Sequence, residues 1–241
     1  VRSSAASDVY NRQYGGSAME LNDVMRTTFA ARDYTGEYLP DNLIYDLIEN
    51  ARFATSGGNR QGNRVIVVRS QETRNALSRL AEPAAKRYVA QIKAGESPWN
   101  AVTPPSVPSE EIEATPAAPP LINSFKEASV VLVFVVDLRV VASMDQDLDR
   151  IGVISGASIY PFVWNVLLGA RQSGFGGTIT TLAAARESEV QSLLNIPKEF
   201  AVAAVVPLGK PVKQFTKLKR NSVEEIASVE YFDGKPLIKV S

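Results

Sequence analysis

The chain has 241 residues, 26 basic and 26 acidic side chains, 45% hydrophobic residues, and neither histidine nor cysteine. Those two absences exclude Ser-His-Asp and Cys-His nucleophiles, thiolate chemistry, disulfides, and zinc or haem iron held by His or Cys of this chain. The balanced charge supplies no net field toward nucleic acid or an anionic membrane. Residues 1–18 are polar and lack hydrophobic period, which reads as a flexible N-terminal arm without the apolar core of a signal peptide. The rest, 19–241, reads as one domain. Its longest strictly apolar run, Val130 to Val136, is far too short to span a bilayer, so the expectation is a soluble, cytoplasmic protein.

In chain order, Asp23–Ala31 reads as a short helix. A firmer helix follows Pro40, where Leu43, Ile44, Leu47, Ile48 and Ala51 recur at helical spacing and Asp41 is the expected N-cap. It stops before Ser56-Gly57-Gly58-Asn59, which is loop composition. Val65–Val68 reads as a strand buried on both faces. Gln71–Gln91 reads as a helix with a break or kink at Pro83. Seven of the fourteen prolines then fall between Pro98 and Pro120, beside Trp99 and the acids Glu110, Glu111 and Glu113. Residues 94–120 are thus either a solvated linker or a functional lid, and Trp99 favours the lid.

Ser129–Val136 reads as a second buried strand and Leu148–Gln172 as one long apolar helix, bent at Pro161 and central to the molecule. Gly174 is placed for a left-handed cap. Glu187–Leu194 reads as a short helix stopped by Pro197, and Ala201–Val206 as a third buried strand. Ser222 with Glu225 matches a capping box, and Val229–Phe232 reads as a terminal strand. Helices interspersed with strands too apolar to face water give an α/β or α+β fold with helices on both faces of one sheet.

Three polar clusters interrupt this framework. Arg26-Thr27-Thr28, followed by Arg32, offers bidentate cations and hydroxyls suited to a phosphate, or is a solvated helix end. Ser56-Gly57-Gly58-Asn59-Arg60-Gln61 lets the backbone approach a flat ligand whose edge Asn and Gln could match, or is a plain connecting loop. It is neither a P-loop nor a G-x-G-x-x-G fingerprint. Lys210, Lys213, Lys217, Lys219 and Arg220 are five cations with no acid between them, an anion site or a solvated face. Asp145, Asp147 and Asp149 alternate as in a solvated turn, and no ligand Glu follows at calcium-loop distance.

Taken in order, MRTTFAARDYTGEYLP, ENARFATSGGNRQGNRVIVV, GASIYPFVWNVLLGARQSGFGGTITT and FAVAAVVPLGKPVKQFTKLKR resemble the FMN-dependent nitroreductase family across nearly the whole chain. The long Pro-rich insertion resembles that of actinobacterial members. The resemblance implies an α+β fold with a central mixed sheet flanked by helices on both faces and a long central helix at the interface of a homodimer. It implies that Arg26, Thr27 and Thr28, matching Arg-x-Ser/Thr, hold the flavin phosphate and ribityl chain, with Arg32 substituting for a basic residue absent at Ala30. Ser56, Gly57, Asn59 and Gln61 match the Pro-Ser-x-x-Asn-x-Gln segment along the isoalloxazine ring, although Thr55 replaces its proline. Thr178, Ile179, Thr180 and Thr181 match the stretch whose backbone faces flavin N5, and Lys217, Lys219 and Arg220 match a basic pair at the phosphate.

The activity so implied is hydride transfer from NADH or NADPH through FMN to a nitroaromatic or quinone-type acceptor by a ping-pong route, with no catalytic side chain and no metal. Reductive dehalogenation, oxygen-dependent breakdown of the flavin, or a non-enzymatic flavin- or nucleotide-binding module are the alternatives. Residues 94–120 would cover the flavin with Trp99 and Tyr88 as aromatic lining, and 222–241 would extend toward the partner subunit.

Overall fold

The computed structural model describes residues 19–239, so the expected arm, 1–18, lies outside the described residues. Four strands, β1 (Asn63–Val68), β2 (Val130–Asp137), β3 (Gly176–Gly177) and β4 (Phe200–Gly209), form one sheet in the order β1-β2-β4-β3. All three ladders are antiparallel, and the mixed character comes from one parallel bridge, Ala30 to Gly177. Around the sheet lie α1 (Leu21–Thr27), α2 (Asp41–Ala51), α3 (Gln71–Lys93), α4 (Ser109–Ala114), α5 (Pro119–Glu127), α6 (Tyr160–Gln172), α7 (Glu187–Leu194) and α8 (Val223–Ile226).

The period of two along the central strands sorts the core into two layers. Val130, Leu132 and Phe134 of β2 face α2 and α6, meeting Leu43, Leu47, Phe162, Val163 and Val166. The alternate residues Val131, Val133 and Val135 face the other side, with Leu77 and Ala81 of α3, Phe125 of α5 and Val190 of α7. The pairing shifts between Phe134 and Val135, which leaves Ala203 as an extra residue on β4. Its carbonyl accepts from the Tyr160 hydroxyl at 3.2 Å, so the start of α6 is tied to that bulge.

Several expectations are corrected. The first helix ends at Thr27 rather than Ala31, because the chain beyond it must extend to bridge Gly177. Pro40, not Asp41, occupies the N-cap of α2, and the Asp41 carboxylate pairs instead with Arg69 at 2.5 Å. β1 is an edge strand rather than one buried on both faces, and Val67 is 41% exposed. Pro83 does not break α3, which runs on to Lys93 with the proline on its exposed side. Residues 94–120 are not a structureless linker: α4 and the start of α5 lie within them, and Val107 and Thr115 are buried.

The long helix expected over Leu148–Gln172 begins only at Tyr160, after a short 3-10 turn at Ile154–Ser158, and Pro161 sits in its first turn rather than at a bend. No strand forms at Val229–Phe232. Glu230 adopts φ +63°, which breaks the extended run, and the Ser228 hydroxyl closes the turn on the Tyr231 carbonyl at 2.6 Å. The expected caps are present: Gly174 has φ +79°, and Ser222 N donates to Glu225 Oε2 at 2.6 Å. Among the described residues, no helix is long and apolar enough to cross a membrane.

Candidate functional site

The Arg26–Thr28 cluster sits where α1 gives way to extended chain. Thr27 and Thr28 are buried, and each hydroxyl donates one turn back, to Asp23 O at 2.6 Å and Val24 O at 2.7 Å. A hydroxyl has a single proton, so as placed these two offer a ligand acceptor oxygens rather than donors. Thr27 Oγ1 already accepts from Arg171 Nε at 2.9 Å. The segment after β4 lies against the same place: Gln214 Nε2 donates to Thr27 O at 3.1 Å, and Phe215 meets Phe29 edge-on at 4.8 Å. The first and third sequence clusters are therefore neighbours.

Of the third cluster, Lys210 is neutralised by Glu37 at 2.6 Å. Arg26, Lys213, Lys217, Lys219 and Arg220 have no ion-pair partner among the described residues. Among the described residues, Arg220 donates only to its neighbour's carbonyl, Lys219 O, at 2.7 Å.

Past Thr28 the chain crosses to β3, Ala31 N donating to Gly177 O at 3.0 Å. Gly177 is hemmed in: a Cβ there would lie 2.5 Å from Pro207 O and 3.0 Å from Leu208 Cδ1. Only glycine lets the strand pass this close, and the strand delivers Thr178–Thr181 directly afterwards. Thr180 exchanges two backbone bonds with Val205, at 3.1 and 2.8 Å. Ile179, Thr180 and Thr181 then line a cavity of about 420 Å³ with Arg32, Tyr88 and Trp99. Arg32 is thereby on the cavity side, together with the aromatic pair expected over a flat ligand. Among the described residues, no carboxylate lines this chamber.

Trp99 is fixed rather than loose. Its backbone has φ +54°, a left-handed conformation costing a side-chain-bearing residue about 1–2 kcal/mol. Its N–H donates to Gln91 Oε1 at 3.1 Å, its indole Nε1 to Ala84 O at 3.4 Å, and the Arg87 guanidinium lies 4.0 Å from the ring centroid. Sequence reasoning missed Arg87 and Gln91. The usable signal was helical spacing, since Ala84, Arg87, Tyr88 and Gln91 share one face of α3.

The Ser56–Gln61 loop stands elsewhere. Gly57 N donates to Ser158 Oγ at 2.9 Å and Gln61 N to Ser56 Oγ at 3.0 Å, while Gly58, Asn59 and Gln61 all have positive φ. Ser56 and Gln61 line a second cavity of about 340 Å³ with Arg52, Arg64 and Phe162. Asn63, at the exit of the loop, keeps a buried Oδ1 without a hydrogen-bond partner. This loop enters β1, whereas Thr178 follows β3, at the opposite edge of the sheet. Three strand spacings, roughly 14 Å, separate the edges. One chain thus brings Arg26–Arg32, Thr178–Thr181 and the Trp99 chamber together, and leaves Ser56, Gly57, Asn59 and Gln61 apart from them.

Two stretches expose apolar side chains. Between β2 and α6, Met144, Ile151 and Val153 are 84%, 63% and 63% exposed, and Trp164 lies bare on α6. After Ser222, Ile226, Tyr231, Phe232 and Ile238 are likewise exposed. Asp145 lies within the first of these stretches. Buried, it accepts from Val153 N and Arg150 Nη1, both at 2.7 Å, and these bonds hold its carboxyl down at about 2. No cluster of three or more acids that could hold a metal occurs among the described residues.

The sequence model of the nitroreductase family matches residues 25–210. Nitroreductase A from Vibrio parahaemolyticus RIMD 2210633 superposes with a TM-score of 0.64 at 17% identity, over 90% of this chain and 78% of that one. Iodotyrosine deiodinase bound to FMN and 3-iodo-L-tyrosine gives 0.61 at 20%, over 85% and 96%. The NADPH:FMN oxidoreductase from Vibrio harveyi, complexed with NAD+, gives 0.61 at 17%, over 88% and 78%. At these identities the structural likeness speaks to the fold alone: an α+β architecture with a central sheet and flanking helices. The family's sequence model covers most of the chain, and the chain belongs to the nitroreductase family.

Proposed function

We propose that the protein is an FMN-dependent NAD(P)H oxidoreductase that passes hydride to nitroaromatic or quinone-type acceptors by a ping-pong route. The observation that carries this reading is the single continuous segment from Arg26 to Arg32. It ties a set of unpaired cations, beside Gln214 and Phe215, to a ring-sized chamber at Thr180, Thr181, Tyr88 and Trp99. A ligand that is anionic at one end and flat at the other fits that pairing, and FMN has both features.

The donor set suits the group. Arg26 and the stretch Lys217, Lys219, Arg220 supply cations that no carboxylate of the described residues neutralises, as a phosphate requires. Thr27 and Thr28, their protons spent on backbone carbonyls, position the segment and leave oxygens to accept from ribityl hydroxyls. Gly177 permits the close strand approach that would bring the backbone of Thr178–Thr181 against a ring. Arg32 would meet the ring edge rather than the phosphate, since it lines the chamber. Bound there, FMN would supply the hydride-transfer chemistry, and this chain's part is to bind, orient and exclude water.

The Ser56–Gln61 loop joins this site through a second copy. Its distance across the sheet bars it from the site of its own chain, while the exposed apolar stretches at 144–164 and 223–238 offer what a homodimer would cover. The site is complete only in that dimer. Reductive dehalogenation in the same chamber is the second reading, favoured by the fold shared with iodotyrosine deiodinase.

The test is the absorbance spectrum of the purified protein. A flavin band that bleaches with NADPH or NADH and returns with a nitroarene or quinone is expected. Return only with a haloarene would move the assignment to the second reading, and a protein that binds no FMN would refute both.

A further inference from the structure

The chamber's outer wall is built from outside the family-matched motifs, by a chain of hydrogen bonds that begins inside α3. Gln91 is 2% exposed, and no sequence motif accounts for it. Its amide is used at both ends: Oε1 accepts from Trp99 N at 3.1 Å and Nε2 donates to Glu96 Oε2 at 2.9 Å. Glu96 Oε1 in turn accepts from Ser106 N at 2.8 Å and from the Ser106 hydroxyl. These donors hold the Glu96 carboxyl below its ordinary range, the Ser106 hydroxyl foremost. The loop between α3 and α4 is thereby closed into a ring at Glu96 and Ser106, with Trp99 inside it.

A buried amide is costly to leave unpaired, and an amide fully paired is directional. Gln91 meets both partners while the Trp99 backbone has φ +54°, and its bond to Trp99 N anchors the loop where the indole begins. The indole itself is held by Ala84 O and the Arg87 guanidinium and lines the chamber. Among the described residues, no other hydrogen bond holds the Trp99 N–H.

We propose that Gln91, acting through Trp99 N and Glu96, is a positioning residue that fixes Trp99 as the aromatic wall of the chamber and so sets the protein's preference for flat, ring-bearing acceptors. The inference rests on the oxidoreductase reading given above. Trp99 and Tyr88 face one another's neighbourhood across a space lined otherwise by aliphatic groups, two threonine hydroxyls and one cation. That wall rewards neutral or anionic rings, which stack and can approach Arg32, over acceptors without a ring.

The test uses the full-length FMN-loaded protein and Gln91→Met, which keeps length and volume but removes both bonds. Acceptors are a nitroarene, a naphthoquinone and ferricyanide, the last lacking any ring. With FMN saturating, the ferricyanide constants are expected to stay at their wild-type values. KM for both ring acceptors is expected to rise roughly 3- to 10-fold, the scale of a lost aromatic contact, with kcat little changed. Indole emission, read in a Trp164→Phe background, is expected to shift to longer wavelength as Trp99 loosens.

Unchanged emission overturns the positioning role whether or not the protein turns over. Shifted emission with unchanged KM overturns the role in acceptor choice and leaves the oxidoreductase reading standing. Wild-type protein that binds no FMN fails the underlying reading, and with it the inference about acceptors. If Gln91→Met does not fold, Glu96→Gln is read in its place, with the same direction expected and the same outcomes decisive.

Discussion

Gly177→Ala probes the narrowest point between the cation end and the ring end of the proposed site. The added Cβ would stand 2.5 Å from Pro207 O, when real contacts of this kind stay above 3.0 Å, so the strands must part by about half an ångström. Neither side yields easily. Pro207 O accepts from the buried Tyr34 hydroxyl at 3.0 Å, and Pro207 pairs with Val131 of the central strand. On the other face Leu167 Cδ2 waits at 3.2 Å, in the α2–α6 core layer. Overpacking of this kind costs about 1–3 kcal/mol. For a chain of this size that lowers Tm by roughly 2–12 °C.

The functional effect should accompany the loss of stability, because Thr178–Thr181 follow directly and move with the strand. Thermal unfolding monitored by circular dichroism, with flavin content of the purified protein, is the assay. Gly174→Ala is the control: nothing lies within 4 Å of its Cβ, yet φ is +79°, so it costs about 1–2 kcal/mol through the backbone alone and should keep its flavin. A Gly177→Ala protein with wild-type Tm and full flavin would refute the reasoning, as would equal flavin loss in both variants.

Three further outcomes are expected. Arg220→Ala should lower FMN retention on dialysis while leaving Tm nearly unchanged, since its only hydrogen bond among the described residues is to Lys219 O; full occupancy would contradict its phosphate role. Asp145→Asn should be less stable than wild type at neutral pH. The Asp145 carboxyl titrates at about 2 when folded and near 3.9 unfolded, so its contribution is present above the unfolded value and lost as pH falls through about 2. Urea midpoints should therefore converge between pH 4 and 2, and parallel curves would exclude the clamp. Truncation after Arg220 should shift the protein toward monomer in sedimentation and lower flavin content together; loss of one without the other would separate the tail from the site.

The fold was legible where one physical signal dominates. The unbroken run Val130–Val136 could only be a buried strand, and Glu187–Leu194 was bounded correctly ahead of Pro197, where the structure adds a left-handed cap at Asn195. Apolarity misled where burial waits on a second surface. Ile151, Val153 and Ile154 read as the start of a central helix, yet they stand exposed ahead of α6. Four apolar residues in β1 cannot tell a central strand from an edge one, because both carry the same side chains. β3 was invisible: two glycines have no side chains from which to read a period. Within the site, the polar clusters could be picked out by composition, while Gln91, a lone amide, was marked only by its helical spacing from Ala84, Arg87 and Tyr88.

The division of the site across the sheet explains why its parts looked weak one at a time. Arg26-Thr27-Thr28 alone is a helix end whose hydroxyls serve the helix. Ser56–Gln61 alone is a loop pinned to Ser158 at the wrong edge. In a monomer Met144, Trp164 and Phe232 stay exposed. The proposed dimer would cover such side chains. The edges that one chain holds roughly 14 Å apart need to meet only between two chains, and a two-fold axis would make that meeting twice. Chemistry that needs no histidine or cysteine from the chain is consistent with such a division, because binding groups, unlike a catalytic triad, tolerate being supplied from separate subunits.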